Sequence, residues 1–122
     1  DILLPAHNNL PFVHWAMMGQ LWQVLGHGCR VWFSAGAFDH SKLMVIDETW
    51  VFLGSANWDP RSLRLNFEGN LECYDSRLAV ALDELIAARV RAARPCSLAE
   101  VDARSLPVKL REGIARLFTP FL

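Results

Sequence analysis

A chain of 122 residues with 52 % hydrophobic and 20 % charged side chains has the size and apolar content of one ordered domain, which excludes a disordered segment. It has no uninterrupted apolar run of the length (about 18 residues) that a membrane-spanning helix requires. The net charge of −1 is divided unevenly: residues 1–75 carry four Lys/Arg against eight Asp/Glu, and residues 76–122 carry eight against five. An acidic body counts against nucleic acid as a partner, and a basic tail suits an anionic membrane surface.

In chain order, residues 2–4 read as a short buried strand that starts directly after Asp1, as in a fragment of a longer protein. Pro11, following Asn8 and Asn9, suits a first helical position, and Gly26 and Gly28 supply a stop, so a helix is expected over residues 11–25. Residues 30–34 form the next strand. Two apolar strands follow at 42–46 and 51–53, separated by the polar turn Asp47-Glu48-Thr49. Residues 57–64, with Asp59-Pro60, read as a loop, and residues 66–74 alternate toward a strand. Ser76 is placed to cap a helix over 76–94, with Leu78, Leu82, Leu85, Ile86 and Val90 on one face. A short helix and a last one over 107–118 follow Pro95. The order predicts a mixed α/β domain over residues 1–122, a central sheet flanked by helices, with 96–122 as a C-terminal helical tail.

The first helix stands apart, because no Asp, Glu, Lys or Arg occurs between Ile2 and Cys29. His14, Gln20 and Gln23 make no polar stripe, so cover is expected on two sides: by its own sheet, and by a missing half, a partner subunit or lipid. An unusually buried core helix is the plainer alternative. Cys29, Cys73 and Cys96 are odd in number and lack metal-site spacing, which fits reduced thiols in a cytosolic setting.

The chemistry concentrates in the segment HSKLMVIDETWVFLGSAN from His40 to Asn57. Residues two apart on a strand share a face, so His40 and Lys42 project together. An ammonium neutralises phosphate oxygens, while an imidazole attacks phosphorus or protonates a leaving oxygen. If the two strands pair, Gly54 permits close backbone approach, and Ser55 and Asn57 add neutral donors for the same oxygens. Glu68, on the next expected strand, is a candidate to accept the other imidazole N–H.

His-x-Lys-x4-Asp-x6-Gly-Ser-x-Asn is matched without a gap by His40, Lys42, Asp47, Gly54, Ser55 and Asn57. On these six positions the chain resembles the phospholipase D superfamily. The stretch GSANWDPRSLRLNFEGNLE, the opening ILLPAHNN and the ending ARLFTPFL are similar to the C-terminal half of bacterial cardiolipin synthases. The resemblance implies a phospholipase D-like fold and transfer of a phosphatidyl group through a phosphohistidine, without metal or other cofactor. It makes His40 the catalytic histidine, and Lys42, Ser55 and Asn57 the phosphate holders. It makes Glu68 the carboxylate that orients the histidine and leaves Asp47, with Gly54, a structural part of the motif. Trp58 departs from the family, where a smaller apolar residue is expected.

Superfamily sites use two such motifs, so a second must come from an N-terminal half of the same protein or from a homodimer mate. In two-motif relatives the first histidine is usually the nucleophile, which leaves His40 as the general acid. The expected substrate is phosphatidylglycerol or a similar phospholipid. The expected location is the bacterial inner membrane, peripheral or anchored by segments outside this chain, with the catalytic domain cytoplasmic. The alternatives are a phosphodiesterase acting on nucleic acid, and a half-site module inactive without its other half. Arg61 is within loop reach of phosphate, with a structural salt bridge as the competing role. His7, His14 and His27 fit no ligand spacing, and Trp15, Trp22, Trp32 and Trp50 are expected in packing. The last helix, with Leu106, Leu110, Ile114, Leu117, Phe118 and Phe121 on one side, either packs on the domain or rests on anionic lipid.

Overall fold

The computed structural model describes residues 1–36, 39–57, 59 and 62–121; Arg61 and Trp58 lie outside them. The chain is mixed α/β, as its pattern predicts, but its strands form two three-stranded sheets where the sequence suggested one. Two compact units result. Asp1–Phe38 and Ala92–Leu122 make a terminal unit, and Asp39–Arg91 make a central unit.

In the terminal unit, β1 (Ile2–Pro5) pairs in parallel with β2 (Val31–Ser34), with Ile2 opposite Val31. A parallel pair needs a crossover, and the helical segment between the strands supplies it. β6 (Arg94–Cys96), which residue pattern alone did not reveal, adds to β2 antiparallel, with Val31 opposite Cys96. Three residues containing a proline carry too little periodicity to read as a strand. Leu21, Val31, Phe33, Cys96 and Val101 form the core, closed by Ile2, Leu4, Met17, Met18, Val24 and Leu25.

The single helix expected over residues 11–25 is two helices, α1 (Pro11–Met18) and α2 (Leu21–Gly26). Asn8 Oδ1 accepts the Leu10 N–H at 3.0 Å just before Pro11 opens α1. The interruption has a tertiary cause. The Met18 carbonyl accepts the Arg104 guanidinium at 3.3 Å, and Gly19 lets a neighbouring backbone come so close that a Cβ there would lie 2.8 Å from the Glu112 carbonyl oxygen. That backbone belongs to α5 (Leu106–Leu117), which packs on α1. The second cover that the charge-free helix demands is therefore α5 of the same chain.

Arg104 joins these pieces. It donates to Val101 O at 2.9 Å, at the end of α4 (Leu98–Asp102), and pairs with the buried Glu112 at 2.5 Å. Ser97 caps α4 by accepting the Glu100 N–H at 3.1 Å, and Glu100 binds Arg94. A 3-10 turn, Thr119–Phe121, closes the unit. Trp15, Trp32 and Trp50 are half-buried and Trp22 is exposed; Trp15 packs edge-on against Phe12, Trp50 stacks on Phe52, and Trp32 Nε1 donates to Asp1 at 2.9 Å.

In the central unit, β3 (Lys42–Ile46), β4 (Trp50–Gly54) and β5 (Asn70–Tyr74) form an antiparallel meander. Asp47 and Glu48 both have positive φ, 51° and 50°, and the Thr49 N–H closes on Ile46 O at 3.1 Å. Positive φ at both central residues matches the turn to the twist of the strands. α3 (Ser76–Arg91) packs on β3 and β4. Its cap is Asp75 and not Ser76: Asp75 Oδ1 accepts the N–H groups of Arg77 and Leu78 at 2.8 and 3.2 Å.

Candidate active site

The site arises from register. Lys42 lies opposite Gly54, and Gly54 opposite Asn70, so one row crosses all three strands at one end of the sheet. At that end β3 and β5 begin and β4 finishes, which gathers residues 39–41, 55–57 and 66–69. Antiparallel pairing thus brings together segments far apart in sequence.

Gly54 is required by this convergence, since a Cβ there would collide with the Gly69 carbonyl and with Asn70. The Ser55 N–H donates to Gly69 O at 3.0 Å, and the Gly69 N–H donates to Ser55 Oγ at 3.0 Å. Ser55 Oγ also donates to Gly69 O at 3.4 Å, a long bond that leaves the hydroxyl proton easily redirected. Asn70 Oδ1 accepts the Ala56 N–H at 3.3 Å, fixing the backbone that leads to the exposed Asn57.

Lys42 Nζ lies 2.7 Å from His40 Nδ1 and donates to His40 O at 2.6 Å. An ammonium has donors and no lone pair, so Nδ1 is the acceptor in this contact. Partial burial holds the Lys42 ammonium below its ordinary pKa, while the charges of Glu68 and Asp39 pull the other way. Asp47 sits beyond the far end of β3, about 16 Å from Lys42 by the rise of an extended strand, in the turn that closes the hairpin.

Glu68 precedes β5 and is not on it, because the strand starts only at Asn70. The apolar-polar alternation of residues 66–69 mimics a strand, yet Leu65 and Phe67 are exposed and no sheet partner spans them. Asn66 Nδ2 donates to Glu68 Oε1 at 3.5 Å and to Ser62 Oγ at 3.3 Å, and the Glu68 charge acts on Lys42.

Residue pattern passed over Asp39, Asn66 and Asn70. Asp39 Oδ1 accepts the Ser41 N–H at 2.8 Å and Asp39 Oδ2 pairs with Arg89 of α3. Hydrogen bonds from Ser41, helped by Arg89, hold the Asp39 carboxyl below its ordinary pKa. The available signal was Asp-x-Ser, which forms a local side-chain turn and here braces the backbone on which His40 sits.

Residues 1–89 match the family described as cardiolipin synthase, PLD-like domain. The whole chain is 33 % identical to cardiolipin synthase 1 of Staphylococcus epidermidis and 35 % identical to cardiolipin synthase 2 of the same species. It is also 35 % identical to the cardiolipin synthase of Staphylococcus aureus. In each case all 122 residues align, and they span 25 % of the relative's length. This chain belongs to the cardiolipin synthase family of phospholipase D-like domains.

Proposed function

We propose that this chain supplies one half of the active site of a phosphatidyltransferase that converts two phosphatidylglycerol molecules into cardiolipin and glycerol. The observation that carries the reading is the convergence of His40, Lys42, Ser55, Asn57 and Glu68 at one end of the central sheet. Lys42, Ser55 and Asn57 would hold the non-bridging oxygens of a phosphodiester, the chemistry to which a charged donor and two neutral ones are suited. The charge of Glu68 acts on Lys42, and Glu68 is the carboxylate assigned to orient the imidazole.

In this reading His40 is the general acid and acts in its imidazolium form. A second histidine, from another copy of the motif, attacks phosphorus, and the bond from phosphorus to the glycerol oxygen breaks. The His40 imidazolium gives its Nε2 proton to that oxygen and becomes neutral. The hydroxyl of a second phosphatidylglycerol then returns a proton to Nε2, its oxygen bonds to phosphorus, and the phosphorus–nitrogen bond breaks. No metal takes part in these steps. The span of a quarter of each relative's length supports a second motif carried outside this chain, in an N-terminal half of the same protein or on a homodimer mate. It supports equally a half-site that is inactive alone. The same reading puts the protein at the bacterial inner membrane, peripheral or anchored by segments outside this chain, with its catalytic domain on the cytoplasmic side.

The test uses the full-length protein in phosphatidylglycerol vesicles, with products followed by mass. His40→Ala is expected to lower cardiolipin formation by at least about a hundredfold. Equal cardiolipin from the variant would remove His40 from the reaction, and cleavage of a labelled oligonucleotide in place of lipid would replace the reading with a nuclease.

A further inference from the structure

The outer face of α5 is built like a helix that lies in a lipid surface. Leu106, Leu110, Ile114 and Leu117 fall within a sector roughly 80° wide at about 100° per residue, and they are between 49 % and 78 % exposed. The opposite side carries Ala115 and Glu112, both buried, and it is this side that packs within the terminal unit. α5 is thus amphipathic in the unusual sense that its solvent-facing stripe is apolar. The stripe continues into the closing turn, where Phe121 is 74 % exposed, and Trp22 of α2 is half exposed.

Charge decides what such a face suits. The one acidic residue of α5, Glu112, is withdrawn from the surface by its pairing with Arg104. The remaining charges of the helix are Lys109, Arg111 and Arg116, all cationic and all exposed. On the helical projection Lys109 and Arg116 flank one edge of the stripe, and Arg111 lies beyond the other. Arg111 sits 4.4 Å from the Trp15 ring centre, and Arg116 lies 6.0 Å from that of Trp22. An apolar stripe bordered by long cationic side chains and aromatic rings complements hydrocarbon beneath a layer of negative headgroups. A soluble protein partner would need a matching acidic rim around an apolar groove.

We propose that the outer face of α5, with Trp22 and Phe121, docks the terminal unit on a bilayer of anionic lipid. Docking deepens the lipid-transfer reading by naming the surface through which the protein meets its substrate's membrane. Binding is measured without turnover, so either can fail alone.

The 122-residue chain is floated with vesicles of phosphatidylglycerol and phosphatidylcholine, and in parallel with vesicles of phosphatidylcholine only. Binding to the anionic vesicles is expected, falling at least tenfold on the neutral ones. Leu110→Glu with Leu117→Glu replaces exposed side chains, so unchanged circular dichroism should accompany a loss of at least tenfold. Lys109→Glu and Arg116→Glu should each lower anionic binding by about fivefold or more, as expected for a cation near such a surface. In the full-length protein, a fluorophore on Leu117→Cys, with Cys29 replaced by Ser, should be quenched by brominated acyl chains. Equal binding to both vesicle types, no binding to either, or anionic binding unaffected by the double variant would overturn the assignment. So would a fluorophore shielded from brominated lipid in the full-length protein, which would give the face to another part of the chain. A gel-filtration dimer dispersed by the double variant would give it to a second copy.

Discussion

The terminal and central units are held together by different means. The terminal unit has a contiguous core around Leu21, Val31, Phe33, Cys96 and Val101, and a buried ion pair between Arg104 and Glu112. The central unit buries only Val51, Ala56, Ser62 and Ala79 among the described residues, and its order comes from strand register and from loop bonds around Ser55, Gly69 and Asn70. The difference teaches that the candidate site is positioned by hydrogen bonding and backbone approach, while hydrophobic burial does its main work elsewhere. A site arranged in this way keeps its polar groups at the surface, where a phosphodiester can reach them, without leaving buried donors unpaired.

The comparison breaks most sharply at Arg104. Arg104→Met strands the Glu112 carboxylate in the terminal unit, with an expected loss of about 3–5 kcal/mol. Denaturant unfolding followed by hydrogen exchange should show amides of α1 and α5 losing protection first. Uniform loss across β3, β4 and β5 would contradict a division of stability between the units.

Gly54→Ala strikes the central unit at its narrowest point. Forcing β4 away from Gly69 and Asn70 should cost about 1–3 kcal/mol and weaken the Ser55–Gly69 bonds. The readout is activity of the full-length protein against its melting temperature. Lost activity in a variant that still melts cooperatively is expected, and a fully active variant would mean that this close approach does not position the site.

Asp75→Ala removes the two bonds that cap α3, with an expected loss of about 1 kcal/mol. Ser76→Ala, by contrast, should be nearly silent in the same thermal melts. Reversed effects would return the cap to Ser76.

The smallest effect is one of pH. Burial holds His14 below its ordinary value of 6.5, with His7 and Arg111 acting in the same direction and Glu112 against them. The unfolded chain therefore takes up a proton at a higher pH than the folded one. Stability contributed by neutral His14 is present above about pH 6.5, declines as pH falls through that value, and levels off below the folded pKa. His14→Phe should flatten this decline, and an unchanged slope in the variant would remove His14 as its source.

Much of the site was legible because its motif is local. The spacing from His40 to Asn57 specifies a hairpin, and β3 and β4 appear at the two apolar runs, with the turn at Asp47 and Glu48. Asn66 and Asn70 were harder to see, since each acts through a loop partner that has no fixed offset in sequence. Glu68 was placed on a strand because short alternating stretches look alike whether or not a neighbouring strand pairs with them.

By itself, then, the amino-acid order offered the candidate site residues, the family, and the need to cover a helix without charges, while His40, expected on one strand face with Lys42, lies just before β3. Those properties depend on residue type and on periods of two or 3.6, which need no knowledge of distant contacts. Tertiary structure decided the rest: the break between α1 and α2, the pairing of β6 with β2, the division of the strands into two sheets, and the withdrawal of Glu112 from the face of α5. The first and last of these involve Arg104, far along the chain, which takes the Met18 carbonyl and the Glu112 carboxylate.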